Sequence, residues 1–454
     1  MGRSNENTDR GSATANAHVS ATRESSRRQS RRTFIAAGST VLAGLGAGCS
    51  WRGGGDSGNM GNDSTKTTVD IEGPIKLGAI VPLPGQFAGG TGEANAYNLL
   101  TKQINENGGL LGAEVEMIIK DSQLKASVFQ EKYRELVLEE GVRATFGGFA
   151  DEGILRVSDD ISQQQKIHIA PSLAVTDMNE KINEDYDNNK YFFSTFQNGD
   201  IIGTNLKRFA DANFVEPMGW EKVAFIIEDI TGWDPIVRIP TNQPPDGVEV
   251  AYTQKFSVET QDFGPILDRA EEEGIDGMYA FMSRGGIPLA TQWSKRQPDF
   301  GLGGGDIFSS NPNHYANTDG AVESVWTYLG GAAPNVQPTA TTGKYINAHE
   351  KEFGGPPPHA QSYTAYDSLL AYIKAVENAG TLNEDDVVAE LEEIQFEGTI
   401  GNIDFYPQGH KWAHDVRYEE DKVVPPIIQW QDGEQVALWP ENLKNGEYQS
   451  PEWI

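Results

Sequence analysis

Cysteine is nearly missing from this chain of 454 residues: there is one, Cys49. A single thiol excludes an intrachain disulfide and any multi-cysteine metal cluster. Positive charge is scarce as well, with 36 Lys and Arg against 66 Asp and Glu, a formal net charge of −30. Residues 1–49 hold 7 of the basic and 3 of the acidic side chains, which leaves 29 against 63, or −34, for the rest. Such a surface excludes nucleic-acid binding, whose affinity comes mainly from cationic contacts to phosphate. It equally excludes docking on an anionic membrane surface. In molar salt the Debye length is only ~3 Å and self-repulsion costs little, so the charge reads as a solvated face of a halophilic protein. Beyond residue 49 no apolar run approaches the ~20 residues that span a bilayer.

Catalytic signatures are lacking too. The stretch "GAIVPLPGQFAGGTGEANAYNLL", Gly78 to Leu100, sets a strand, a glycine loop and a helix in the order that cradles phosphates. Its glycines, Gly85, Gly89, Gly90 and Gly92, do not keep G-x-G-x-x-G, and Gly85 to Thr91 reads G-x-x-x-x-G-T without the P-loop lysine. It is a glycine turn with Phe87 at its tip. His410 and His414 have H-x-x-x-H spacing, with Asp404 or Asp415 able to complete a site, but no Glu follows His410. A solvated pair near a turn is the stronger reading. No G-x-S-x-G elbow is present. Neither catalysis, metal nor cofactor is expected.

What the chain does have begins with "SRRTFIAAGSTVLAGLGAGCS". Arg31 and Arg32 precede about 14 mostly apolar residues, which is signal length and too short to span a membrane. Twin arginines mark export of folded proteins. The run ends in small residues at Cys49, as in a lipoprotein signal, although Gly46 stands where Leu is usual. Residues 1–49 are therefore expected to direct export, with lipidated Cys49 anchoring the chain at the extracellular face; a plain signal with an incidental Cys is the alternative. Residues 50–73, rich in Gly, Ser, Asn and Asp, read as a flexible tether.

From Ile75 strand-like and helical patterns alternate: "IKLGAIVPL", then "GEANAYNLLTKQINENGG", "AEVEMIIKDS", "KASVFQEKYRELVLEEG", "RATFGG", "EGILRVSDDISQQQ" and "IHIAPS". The alternation restarts at "GTNLKRFADAN", with strands at "KVAFIIEDI" and "GMYAFMS", a strand end at "DIFSS" and another strand in "AVESVWTYLG". "QSYTAYDSLLAYIKAVENA" is the longest helical pattern, and "NEDDVVAELEEI" is a helix capped by Asn383. Strands and a hairpin at Asp432-Gly433 close the chain. Such βαβ alternation implies parallel sheets with helices on both faces. Two α/β halves imply two lobes and a cleft, with ligand loops at the carboxyl ends of the strands.

The segment "IKLGAIVPLPGQFAGGTGEANAYNLLTKQINENGGLLGAEVEMIIKDSQ" resembles the opening of the extracellular solute-binding proteins of branched-chain amino-acid type ABC importers. The resemblance rests on Pro82 to Gly85, Ile104-Asn105, Gly108-Gly109, Gly112 and Asp121. It continues through "FGGFADEG", "IHIAPSLA", "KVAFIIED", "GIDGMYAFMS", "YTAYDSLLAYIKAVENAG" and "GTIGNIDFYPQGH", covering roughly residues 74–430 in order. With the charge it points to a haloarchaeal member. It implies a type I periplasmic-binding fold: two lobes, three hinge crossings and closure on ligand. Residues 74–195 and 328–398 would form lobe 1, 196–327 and 399–440 lobe 2, and 441–454 a tail, with crossings near Phe196, Trp326 and Gly401.

Carried over, the ligand loops offer Gln86 and Phe87, then Phe149, Ala150 and Asp151, then Ser172, Leu173 and Ala174 in lobe 1. In lobe 2 they offer Trp233, Ser283, Arg284 and Asp306. Phe149, Ala150 and Asp151 stand where the amino-acid binders carry a hydroxyl, Ala174 where they carry Thr, and Ser283 with Arg284 where an aromatic is common, so two hydroxyl positions are lost and an Arg gained. Arg284 would clamp a ligand carboxylate in bidentate fashion. Phe87, Phe149 and Trp233 would sandwich an apolar body, and Asp151 or Asp306 would take a donor; Asp151 is equally placed to cap the helix that follows. The expected protein is a monomeric extracellular receptor binding a small polar solute, an amino acid, amide or carboxylate, and delivering it to an ABC permease. The rivals are a ligand sensor signalling through a membrane partner and an exported α/β enzyme.

Overall fold

Six of the seven residues of β1 (Ile75–Val81) are buried, as a strand inside a parallel sheet with both faces covered requires. In this computed structural model, which describes residues 71–83, 88–283 and 285–454, β1 pairs in parallel with β2 (Val115–Asp121) and β3 (Ala144–Gly147). β4 (Ile167–Ala170) and β5 (Phe192–Ser194) complete the order β2-β1-β3-β4-β5. The signal, Cys49 and all but the last residues of the tether lie outside the described residues.

The second sheet repeats the plan. β6 (Lys222–Glu228), β7 (Glu249–Phe256), β8 (Gly277–Met282), β9 (Gly301–Asp306) and β10 (Trp326–Tyr328) run parallel in the order β7-β6-β8-β9-β10. A small hairpin, β11 (Phe396–Glu397) with β12 (Asn402–Ile403), stands apart. β13 (Ile427–Gln431) and β14 (Glu434–Trp439) extend the second sheet antiparallel beside β10. Their turn, Asp432-Gly433, has φ of 52° and 81°, the paired positive values of a tight hairpin.

Successive side chains of a strand point to opposite faces. Accordingly Ala224, Ile226, Met278, Ala280 and Met282 enter one core of the second lobe, while Val223, Phe225, Ile227, Tyr279 and Phe281 enter the other. The first lobe has one continuous core around Leu77, Ile80, Phe146, Ile169 and Tyr372.

The chain crosses between the sheets after β5, after β10, and once more between Val423 and Ile427. This third crossing lies beyond the position near Gly401 that the sequence led us to expect. Residues 399–426, expected in lobe 2, instead send Ile400, Ile403, Phe405, Val416 and Val423 into the first core. The first of these steps is fixed by Asp367, which binds the backbone amides of Thr399 and Ile400.

β9, "GLGGGD", carries no apolar pattern to read. Its glycines are dictated from outside: a Cβ on Gly303 would lie 2.3 Å from the Trp326 ring, and Gly304 has φ of 134° with Ala280 O 2.4 Å from its would-be Cβ. "DIFSS" is a strand only at Asp306; Ile307–Ser310 form a 3-10 turn. β7 and the helices Trp233–Asn242 and Ala340–Phe353 are further elements that sequence reading did not identify. Asn383 caps its helix as expected, accepting from the amides of Asp385 and Asp386.

Candidate ligand-binding cleft

The carboxyl ends of both sheets face a shared hollow. After β3, Gly147 and Gly148 take φ of 99° and 105° and turn the chain into Phe149, Ala150 and the helix Asp151–Gln164. Ser172 and Ala174 follow β4. Asp229 to Trp233 follow β6, Ser283 follows β8, and Ile307 with Phe308 follow β9. Phe196 and Tyr328, beside two of the crossings, and Gln361, at the start of the helix Gln361–Ala379, close the wall. The hollow measures about 540 Å³, the size of a small-molecule site, and the lining is mostly aromatic and aliphatic, as such sites require.

Few polar groups interrupt that lining. Asp151 is 7% exposed; Oδ1 accepts from Ala174 N at 3.2 Å, while Oδ2 has no partner. Burial, with smaller contributions from Glu152 and Asp177, pushes its carboxyl up to about 7 despite the Ala174 bond. Ser172 Oγ donates to Gly148 O at 2.8 Å. Ser283 donates through its amide, at 2.6 Å, and through its hydroxyl to buried Glu228. Gln361 Oε1 and Trp233 Nε1 are buried without partners. Tyr328 is raised above the ordinary phenol range by burial and by the Asp151 charge.

The lobes touch across the hollow. A Cβ on Gly232, in the second lobe, would sit 3.0 Å from Asp151 Oδ2, in the first. His359, just before the helix Gln361–Ala379, places Nε2 at 3.1 Å from Ile307 O, and Nδ1 lies 3.3 Å from Gln361 N. Burial lowers its imidazole to about 4, so the neutral ring donates from Nε2 and accepts at Nδ1.

A sequence profile described as periplasmic binding protein matches residues 74–418. The chain belongs to the periplasmic binding protein family. The Leu/Ile/Val-binding protein homolog 8 of Brucella abortus is 22% identical over 387 residues, covering 81% of this chain and 91% of that one. Among solved structures, a protein of Silicibacter pomeroyi superposes with a TM-score of 0.74 at 18% identity, over 84% of this chain and all of its own. The substrate-binding protein LivJ of Streptococcus pneumoniae, in complex with isoleucine, gives 0.68 at 17% identity over 80% and 99%. A solute-binding protein of Rhodopseudomonas palustris, in complex with 3,4-dihydroxybenzoic acid, gives 0.64 at 21% identity over 80% and 95%. Likeness at these identities fixes the fold, the two-lobed type I architecture.

In this periplasmic binding protein, seven residues named from sequence meet at the cavity: Phe149, Ala150, Asp151, Ser172, Ala174, Trp233 and Ser283. Two do not reach it. Leu173, 2% exposed, turns into the first core, because neighbours along an extended segment face opposite ways. Asp306 is occupied with its own chain: it accepts from Phe308 N and Ser309 Oγ, lies 3.3 Å from His314 Nε2, and borders a small adjoining pocket that shares Trp233, Ile307, Tyr328 and Gln361 with the cavity wall. Gln86, Phe87 and Arg284 lie outside the described residues. Asp151 does not cap its helix; Ala150 holds that position, and the carboxylate turns to Ala174 instead.

Sequence reasoning missed Phe196, Phe308, Tyr328 and Gln361. For Gln361 a signal existed, since it opens the longest helical pattern. The two histidines serve unrelated ends: His410 stacks on Tyr406, while buried His414 contacts Phe192 O and Glu392. Among the described residues no group of three or more His, Cys, Asp or Glu is placed to hold a metal ion.

Proposed function

We propose that the chain is the solute receptor of an ABC importer, binding a small organic solute, an amino acid, amide or carboxylate, between its lobes. The observation that carries this reading is the cavity of about 540 Å³ whose wall is shared by the carboxyl-end loops of both sheets. Solute would dock on Phe149, Asp151 and Ser172, and Trp233, Ser283 and Phe308 would close over it. Closure would be held by lobe-to-lobe contacts such as His359 to Ile307. The closed form would then be presented to a membrane permease. Nothing in this sequence of events makes or breaks a covalent bond. In the same reading the N-terminal segment exports the chain, Cys49 carries a lipid anchor at the outer face of the membrane, and the acidic surface keeps the protein hydrated in high salt.

The test is a thermal-shift screen of the full chain in molar KCl against amino acids, amides, small carboxylates, aromatic acids and sugars. A solute at 100 times its dissociation constant adds ~2.7 kcal/mol of stability. A shift by one class, with small-angle scattering recording compaction, upholds the receptor. Silence across all classes, or turnover of any solute, overturns it.

A further inference from the structure

The polar groups left open in the cavity are not balanced. Asp151 Oδ2 and Gln361 Oε1 are buried acceptors with no partner. The two serine hydroxyls of the wall have committed their protons away from the ligand, Ser172 to Gly148 O and Ser283 to Glu228, so they offer only lone pairs. The charged side chains among the described lining residues are Asp151, Glu152 and Asp229; none is Lys, Arg or His. Against these acceptors stands one buried, unpartnered donor of the described wall, Trp233 Nε1. A buried acceptor without a donor is costly, and a solute that supplies the donor recovers that cost on binding. Near pH 8, where Asp151 is ionised, a carboxylate brought to the same place would be desolvated beside like charge.

Resting on the receptor reading above, we propose that the cavity selects a solute presenting N–H donors, as an ammonium or an amide, to Asp151 and Gln361. Its apolar body packs among Phe149, Trp233 and Tyr328. A solute whose only polar group is a carboxylate is rejected. Asp151 and Gln361 are the residues that set this specificity.

Two matched series separate head group from body: benzylamine, benzamide and benzoate, and isoamylamine, isovaleramide and isovalerate. Near pH 8, each is titrated calorimetrically into the full chain, the Asp151→Asn variant and the Gln361→Leu variant, with circular dichroism confirming that each variant is folded. In at least one series the amine or amide should bind ~10-fold or more tightly than its carboxylate, and Asp151→Asn should weaken that binding ~10–100-fold. Gln361→Leu should weaken it by about tenfold. A preference for the amine assigns an ammonium, and a preference for the amide a neutral head. Carboxylates that bind as well as their partners, or N–H-bearing probes unaffected by both variants, overturn the proposal and leave the receptor intact. The proposal also falls, and the receptor stands, if none of the six binds while another solute does. If no solute of any class binds, the receptor reading itself fails.

Discussion

Asp151 and Asp367 are two buried acids of one lobe, both pushed up to about 7, chiefly by burial. Asp367, with no exposure, receives the amide of Thr399 on both oxygens and adds the Thr399 hydroxyl and the Ile400 amide on Oδ2. Asp151 receives one amide and keeps an oxygen open toward a cavity. The chain has finished Asp367 and left Asp151 unfinished. A buried polar group that its own protein does not satisfy lowers stability, and such a defect is informative where it adjoins space for a ligand. The two acids should therefore respond oppositely to substitution.

Asp367→Ala should do the greatest damage. It orphans the buried amides of Thr399 and Ile400 that hold the turn, a loss of ~3 kcal/mol or more, read by denaturant unfolding. Solute affinity of the folded fraction should stay unchanged. A loss under ~1 kcal/mol would erase the contrast between the two acids.

Asp151→Asn should break the parallel from the other side. Asp151 titrates near 7 in the folded chain against an ordinary 3.8. Its folded form keeps a proton that the unfolded chain gives up, so this contribution to stability is full below the unfolded value and is lost as pH rises toward 7. Asn has no charge to bury and can still accept from Ala174 N. Near pH 8 the variant should be about 4 kcal/mol more stable than wild type, from a rise of about three pH units at about 1.4 kcal/mol each, with the gap closing near pH 4. Equal stabilities at both ends would show that burial does not strain Asp151.

His359→Ala tests whether lobe contact contributes to binding. Removing the bond to Ile307 O should weaken solute affinity about fivefold, or ~1 kcal/mol, and reduce compaction on binding. The smallest effect belongs to Glu93→Gln. Glu93 is fully buried, both of its oxygens lack partners, and burial raises its carboxyl. It does not line the cavity, so affinity should stay within about twofold, the range of a substitution remote from the site.

The two-lobed plan was legible because β1, β6 and β8 are apolar runs bounded by turn residues, and their loops were the natural places to look for ligand contacts. Asp151, Ser172 and Trp233, in the loops after β3, β4 and β6, were found through the family resemblance. β9 was not legible as a strand: Gly303 answers to the ring of Trp326, and Gly304 to the carbonyl of Ala280, neighbours that only the fold supplies. The helix Trp233–Asn242 was hidden by Pro240 inside it, since proline reads as a helix breaker. Gln361 and Tyr328 come to the cavity from segments far along the chain, as crossings allow. The third crossing was misplaced because the turn at Thr399 looks like a boundary until Asp367 is seen to bind it to the first lobe.

The measurement that bears most directly on the account pairs two numbers on two proteins. The unfolding free energy and the dissociation constant for the tightest solute in the screen are determined near pH 8 for wild type and Asp151→Asn. The account predicts a variant at least as stable as wild type that binds ~10-fold or more weakly. A variant that binds as well as wild type, or loses stability as it loses affinity, would contradict the claim that Asp151 is an acid left open for a ligand.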